Sequence, residues 1–487
     1  MKYITTIGLE IHAELKTRTK MFCDSKNDPD EERPNVNICP ICMGHPGALP
    51  VINKEAVRHV IRMGLALDGK VANFTEFDRK NYFYPDIPKG YQISQHKNPL
   101  VLGGKLNGVA LTRIHLEEDT ARSTHDTGAE SLVDFNRAGV PLVELVTEPV
   151  IHSPEEASRF AKEFQLLLQY LGASDANMEK GEMRVEANIS VAPDSARGEH
   201  GASGADDERG RRGTKVEVKN LNSFRAVERA VAFEVERHIA LIERGEKVPQ
   251  ETRGWDETKG VTFSQRLKEE SHDYRYFPDP DLPKIYISEI PELAPEKIKK
   301  QLPELPWDRR ERLQTNYGLR EEDAEMYVRD KNWGDYFETA AMLLDGDKKL
   351  TATLSNYVNS DLAGLVKNNP DRWQSAPIAA SSIVSLAKMA RGGEVSSRGA
   401  KDILKVLFEK GGTPFAIAEK HGLSQKSSED ILLPIVKKVI DNNRGAVADF
   451  KTGKQAALQY LIGQAMKESR GSGNPEILRT LLLKIIG

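Results

Sequence analysis

The sequence of 487 residues predicts an α+β protein: an N-terminal antiparallel-sheet cradle domain over residues 1–293, an all-α linker domain over 294–405 and a small α-helical tail domain over 406–487. Three observations carry that prediction. Alternation of apolar and charged residues recurs through the first part, and past Pro291 it gives way to helical spacing divided by prolines. The glycine pairs Gly392-Gly393 and Gly411-Gly412 mark junctions near the tail.

The strands come first. Ile7, Leu9, Ile11, Ala13 and Leu15 interleave with Glu10, His12 and Glu14, so this segment buries one face as a strand and offers acids and an imidazole on the other. Ile114 and Leu116 interleave with Arg113, His115 and Glu117 in the same way. So do Met183, Val185, Ala187 and Ile189 with Glu182, Arg184, Glu186 and Asn188, and Val216 and Val218 with Lys215, Glu217 and Lys219. One such strand is ordinarily the solvated face of an antiparallel sheet. Four of them, far apart in the chain and patterned alike, point to one shared basin that suits a divalent metal and phosphates. Glu144, a lone acid in the apolar run Pro141–Val146, is a further candidate for it. The run Glu117-Glu118-Asp119 is costly through mutual repulsion unless it is solvated or neutralised by a cation.

Helices are signalled by caps and spacing. Ser153 can cap a helix whose first turn holds Pro154 and whose apolar positions are Phe160, Phe164, Leu167, Leu168 and Leu171, with Gly172 closing it. A second runs from Ser223 to Arg244 with Phe224, Val227, Val231, Val235 and Ile239 on one stripe. Between the last two strands, Pro193 to Gly213 is nearly free of apolar side chains and reads as a mobile hairpin loop. The tail ends in Leu478, Leu481, Leu482 and Ile485, and Lys437, Lys438, Arg444, Lys451, Lys454, Lys467 and Arg470 recur near its turns. That basic set is either a solvated face or a surface for RNA phosphates.

A net charge of −4 excludes a protein that coats nucleic acid through overall charge, so RNA contacts must use local patches. Glu10 interrupts the amino terminus before any signal-like apolar run, and no later run reaches spanning length, which predicts a cytoplasmic protein without a membrane partner. Three cysteines fit a reducing compartment. Cys39-Pro40-Ile41-Cys42 forms a C-x-x-C knuckle, and with Cys23 upstream it offers three candidate ligands for a structural Zn2+, His45 or Asp24 being the candidate fourth. The competing reading is a set of buried reduced thiols.

Lys80, Tyr82 and Tyr84 flank a proline-fixed turn, and Lys89 follows in Lys89-Gly90-Tyr91-Gln92. Lysines hold phosphate oxygens, and tyrosines stack or donate hydrogen bonds; otherwise these tyrosines are core-edge residues. Asp273 to Asp281, containing Arg275, is too polar and proline-bound for a core strand and reads as a loop that closes over something. The chain has no P-loop: Gly69-Lys70, Gly104-Lys105 and Gly453-Lys454 are followed by Val71, Leu106 and Gln455. If ATP is used, a different cradle holds its phosphates.

In Gly8 to Leu15, Phe77 to Gln95, His115 to Arg122, Leu132 to Pro149, Lys219 to Phe224 and Asp273 to Asp281, the chain resembles the B subunits of bacterial tRNA-dependent amidotransferases, and the resemblance runs nearly end to end. It implies a reaction in two steps on mischarged tRNA. ATP and Mg2+ serve to phosphorylate the side-chain carboxylate of Glu or Asp esterified to tRNA, and ammonia then displaces phosphate to give Gln-tRNA or Asn-tRNA. It also implies a heterotrimer, in which the glutaminase, or A, subunit supplies ammonia through a polar tunnel and the small C subunit braces the assembly. The tail resembles the YqeY-like, tRNA-binding domain of the family.

Carried over residue by residue, the resemblance implies that Glu10, His12 and Glu118 hold the metal, with Glu144 and Lys80 completing the catalytic set. Tyr82, Tyr84 and Lys89 would line the substrate and ammonia path, and Arg184, Lys219, Asn220 and Arg275 would contact the nucleotide or the acceptor end. Strict alternation instead puts Glu117 on the polar face; the resemblance favours Glu118, at a strand end where twist or a bulge can shift the pattern. One departure stands out. Where many relatives have C-x-C, this chain reads Cys23-Asp24-Ser25, with Ser25 in place of a fourth thiol. The alternatives are a non-catalytic tRNA-binding scaffold and a metal-dependent hydrolase that works alone.

Overall fold

In the computed structural model, which describes residues 2–124, 130–194, 213–267, 274–425, 429–469 and 473–487, the N-terminal part is organised by one large sheet. The loop expected between Pro193 and Gly213 lies outside the described residues except at its ends, as do Asp273 and Arg470. The main strands are β1 (Tyr3–Glu14), β2 (Asp78–Asn81), β3 (Tyr91–Ser94), β4 (Val109–Glu118), β5 (Pro141–Thr147), β6 (Met183–Pro193), β7 (Val216–Leu221), β8 (Glu251–Asp256), β9 (Val261–Leu267) and β10 (Phe277–Pro278). They lie in the order β9-β8-β7-β6-β1-β5-β4-β3-β2-β10. Among the described residues these pairs are antiparallel except β7 with β8, which run parallel.

The first strand sits mid-sheet because its apolar set is continuous. Ile7, Leu9, Ile11 and Ala13 are fully buried, and they alternate with the charged residues that face the other way. Helix α1 (Lys54–Ala66) and the helices α2 (Pro154–Tyr170) and α3 (Phe224–Glu243) pack on the unit, α2 against α3 and α3 against β6. The predicted caps form: Ser153 Oγ accepts from Glu156 N–H at 3.1 Å, and Ser223 Oγ accepts from Ala226 N–H at 3.0 Å. Phe160, Phe164, Leu167 and Leu168 form the buried face of α2, as the spacing predicts.

Helix α3 departs from its expected stripe. Val235 and Ile239 are only half-buried, and the buried face continues through Glu234 and His238. Burying that carboxylate costs free energy unless it is paired. Arg237 Nη2 lies 2.8 Å from Glu234 Oε2, Arg253 Nε lies 2.9 Å from Oε1, and Thr262 donates to the same carboxylate.

Contacts divide the chain into Met1–Leu305 and Pro306–Gly487. The first unit therefore reaches past residue 293: the short helix α4 (Pro295–Lys299) docks its buried Ile298 against α1. The second unit is helical. Its last four helices, Glu429–Asn442, Arg444–Lys451, Gln455–Glu468 and Pro475–Ile486, share a core built on Leu432, Val436, Leu461, Leu478, Leu481 and Leu482. Ile486 rather than the expected Ile485 completes that core, being one helical turn beyond Leu482, whereas Ile485 is exposed. Among the described residues, no helix is long and apolar enough to cross a membrane.

Burial pushes the Glu234 carboxyl up, but His238 Nε2 3.3 Å away and hydrogen bonds from Arg237 and Thr262 outweigh it and bring the carboxyl from 4.5 to about 2. A depressed carboxyl stabilises the fold above its unfolded value, and that contribution is lost as pH falls from 4.5 towards about 2. Denaturant titrations should show the stability gap between the wild type and Glu234→Gln narrowing by about 3 kcal/mol across that window. A gap that does not change with pH contradicts the assignment.

Candidate active site

The strand register sets the site. His12 stands opposite Glu144 on β5 and Arg184 on β6, Glu10 stands opposite Glu186, and Glu144 in turn stands opposite His115 on β4. One row further, Glu14 and Glu117 flank Leu142. Side chains in register across neighbouring strands point to the same side, so the polar sets of these distant segments share one face. Lys219 joins them from β7, with Nζ 2.6 Å from Glu186 Oε2.

His12 lies at the centre. Its Nε2 is 3.3 Å from Glu117 Oε1, 3.3 Å from Glu144 Oε2 and 3.9 Å from Glu10 Oε1. On the far side of Glu144, His115 Nε2 lies 3.5 Å from Oε2 and Arg113 Nη2 lies 3.1 Å from Oε1. Glu117, Glu144 and His115 are buried, at 4%, 6% and 2% exposure, so these are not solvated charges. Beneath them Asp119 joins Arg137 at 2.5 Å and Arg184 at 3.3 Å, and Arg137 also reaches Glu14 at 3.2 Å.

Electrostatics sorts the acids. Burial raises both Glu117 and Glu144, but His12 for Glu117, and His115 followed by His12 and Arg113 for Glu144, hold both below the ordinary carboxylate range. Burial lowers His12, yet hydrogen bonds to Glu117 and Glu144 keep it well above 6.5. Glu10 goes the other way: burial, then the charges of Glu144 and Glu186, push it up to about 7. Burial lowers Lys80, but the charges of Glu117, Tyr276 and Glu144 hold it above its ordinary value, and its register opposite Gln92, two residues from the Ser94 that faces Glu117, puts it on the same side of the sheet.

Two overlapping sets of donor atoms lie within 4.8 Å of one another and could each hold a divalent ion, Glu10 with His12 and Glu144, and His115 with Glu117 and Glu144. Three crowded carboxylates supply the hard oxygens that Mg2+ prefers, and a cation would relieve the repulsion that raises Glu10. The set therefore fits that ion.

Glu118 does not belong to it. Its carboxylate faces away, bridged to Lys89 Nζ at 2.6 Å and accepting from Ile93 N–H at 3.0 Å, where β3 and β4 pair only through Ser94 and Glu117. Alternation unbroken from Arg113 to Glu118, with the register shift of this pairing lying at its other end, decides which acid faces the cluster, and Lys89 is engaged by Glu118 rather than lying open on a path. Tyr82 is half-buried beside Tyr274, with ring centroids 6.2 Å apart, whereas Tyr84 is exposed. Asn220 is exposed within β7 at φ 58°, where the pairing of β7 with β6 shifts register, and Arg275 is exposed at φ 43°.

The segment from Tyr274, expected as a closing loop, runs along the edge of the sheet as β10 paired to β2. Arg79 pins it through Asp279 and Asp281, each at 2.8 Å, and His96 stacks on Tyr276 at 3.8 Å. Lys80 lies under this strap with Nζ 5.1 Å from the Tyr274 ring centroid. The alternation of the sequence puts His115 and Arg113 on this face without marking them as partners of Glu144, and nothing in the pattern signals Asp119 with Arg137.

The cysteines gather elsewhere, with Cys42 Sγ 3.4 Å from Cys23 Sγ and 3.6 Å from Cys39 Sγ. Among the described residues the group contains those three thiols alone, and Asp24 and His45 are exposed outside it. That is one donor short of a structural zinc tetrahedron.

A family model described as the GatB/GatE catalytic domain matches residues 5–291, and one described as the GatB domain matches residues 335–486. Curated aspartyl/glutamyl-tRNA(Asn/Gln) amidotransferase B subunits are similar over the whole chain. That of Thermoanaerobacter pseudethanolicus is 42% identical over 99% of both chains. That of Thermotoga maritima is 42% identical over 100% of this chain and 99% of its own, and that of Thermomicrobium roseum 43% over 99% and 98%.

Calorimetric titration of the full chain with Mn2+ should show Glu117→Gln weakening binding by about tenfold or more and Glu118→Gln by less than about threefold. The opposite order would restore Glu118 as the ligand. Because Glu10 and His12 must each give up a proton to ligate, affinity should also rise with pH through about 7 and beyond, and fall below it.

Proposed function

Because the chain belongs to the GatB/GatE catalytic-domain family, as a B subunit of a tRNA-dependent amidotransferase, we propose that it activates and amidates mischarged Glu-tRNA(Gln), Asp-tRNA(Asn) or both, at the expense of ATP. The side-chain carboxylate of the tRNA-bound amino acid attacks the γ-phosphorus and ADP leaves. Ammonia then attacks the carbonyl carbon of the acyl phosphate and inorganic phosphate leaves. A carboxylate is a poor electrophile toward ammonia, and the phosphorylated form supplies the leaving group. The convergence of Glu10, His12, Glu117 and Glu144 with Lys80 on one sheet face is the observation that carries this reading.

Magnesium held by Glu10, His12, Glu144 and Glu117 would offset charge on the nucleotide phosphates. The chain's own residues do the rest. Lys80 shares the face of these acids, with its ammonium over the Tyr274 ring, and would meet a transferring phosphoryl group there. Arg113 and His115 orient Glu144, and Arg184 and Lys219 extend positive charge along the face. The partially buried Tyr82 lies at the edge where ammonia would arrive from the glutaminase partner, the A subunit, and the C subunit would complete a cytoplasmic heterotrimer. The tail would hold the tRNA by shape and phosphate contacts. Burial of Glu117, Glu144 and His115 weighs against the scaffold reading, under which those charges would be solvated.

In a complex reconstituted with its partner subunits, His12→Ala should lower the rate of ATP-dependent amide formation by about a hundredfold or more, with tRNA affinity changed less than about threefold. Unchanged turnover would support the scaffold instead. Removing residues 411–487 should weaken tRNA binding by about tenfold or more and leave glutamine hydrolysis in the complex intact; unaltered tRNA affinity would contradict the role given to the tail.

A further inference from the structure

The three thiols stand beside a buried cation that the proposed reaction does not use. Lys20 has 0% exposure, and its Nζ meets Cys42 Sγ at 3.6 Å and the Phe135 carbonyl oxygen at 3.2 Å. Burying an ammonium is costly unless a negative group faces it, and the sulfur of Cys42 is in place to be that group. The corner that a fourth thiol would occupy holds Ser25, whose hydroxyl lies 3.5 Å from Cys42 Sγ and is a weak zinc donor. Cys42 is thus a sulfur with a cation on one side, a second thiol 3.4 Å away on another, and no complete metal set around it. An open cleft lined by Cys23, Ser25, Cys39 and Ile41, all neighbours of the buried Cys42, brings solutes to the edge of the cluster.

We propose that in this chain the cysteine cluster is a peroxide-sensitive thiol pair, in which Cys42 and Cys23 close reversibly into a disulfide, rather than a structural zinc site. The Cys42 thiolate attacks a hydroperoxide oxygen; the S–O bond forms, the O–O bond breaks, and the departing oxyanion takes a proton. Cys23 sulfur then attacks the sulfenic sulfur. The S–S bond forms, the S–O bond breaks, and hydroxide leaves with the Cys23 proton as water. Two thiols are oxidised and one hydroperoxide is reduced. Lys20 Nζ at 3.6 Å and the Cys23 thiol at 3.4 Å face the Cys42 sulfur and would stabilise its thiolate for the first step. The new bond would tie the segment around Phe22 to the Cys39–Cys42 turn. Phe22 packs edge-on against Phe77 at 5.3 Å, next to the strand that carries Lys80.

The test uses the full chain purified without added metal, treated with hydrogen peroxide, alkylated and mapped by mass spectrometry without reduction. Expected is a Cys23–Cys42 cross-linked peptide, lighter by two hydrogens, that a thiol reductant reverses. Lys20→Met should slow closure by about tenfold or more. Should that variant not fold, Ser25→Cys keeps the test open: with the fourth thiol restored, it should retain about one zinc per chain after EDTA treatment and no longer close. A wild-type chain that itself keeps zinc through EDTA, a bond joining Cys42 to Cys39, no bond at all, or a Ser25→Cys chain that still closes and holds no zinc would each overturn the proposal.

Discussion

The register of the first strand against its two neighbours is the constraint on which the rest of the molecule depends. Side chains alternate along a strand, so a slip of one residue against β5 would send Glu10, His12 and Glu14 into the core and bring Leu9 and Ile11 out. Fully buried Ile7, Leu9 and Ile11 make that slip prohibitive. The same apolar burial that fixes the fold therefore fixes His12 opposite Glu144, and through β5 it fixes His115 and Glu117 around the same point. Core packing and site geometry are two faces of one register.

The charges on that face hold one another in place. Glu117 and Glu144 remain ionised in a buried setting because His12, and for Glu144 also His115 and Arg113, compensate them. Removing one member leaves the others buried and unpaired, a loss of several kcal/mol of the kind known for broken buried pairs (about 3–5). Asp119, gripped by Arg137 and Arg184, forms a second layer that ties Glu14 to the same network. A preorganised set of this kind needs no rearrangement when charge develops on a substrate.

Much of this was legible in the sequence, for reasons that can be named. Period-two alternation marks which residues share a face, and it placed Glu10, His12, Arg184 and Lys219 together, whereas Glu144 stood out only as a lone acid in an apolar run. It also favoured Glu117 over Glu118, where the family resemblance pointed the other way. What alternation cannot supply is pairing across strands. The Lys89–Glu118 bridge, the Asp119–Arg137 contact and the Arg79 clamp on Asp279 join residues whose proximity only the folded sheet creates. Helix α3 shows the complementary limit. An apolar stripe drawn through Val235 and Ile239 misses that Glu234 and His238 are the buried positions, because the arginines and threonine that make their burial tolerable come from Arg237 on the helix and from β8 and β9.

The most direct test of the account is the position of a bound ion. In crystals of the full-length chain soaked in Mn2+, the anomalous peak should lie about 2 to 2.5 Å from His12 Nε2 and from a carboxylate oxygen of Glu144. A peak beside Glu118 and Lys89, or none on this face at all, would contradict it.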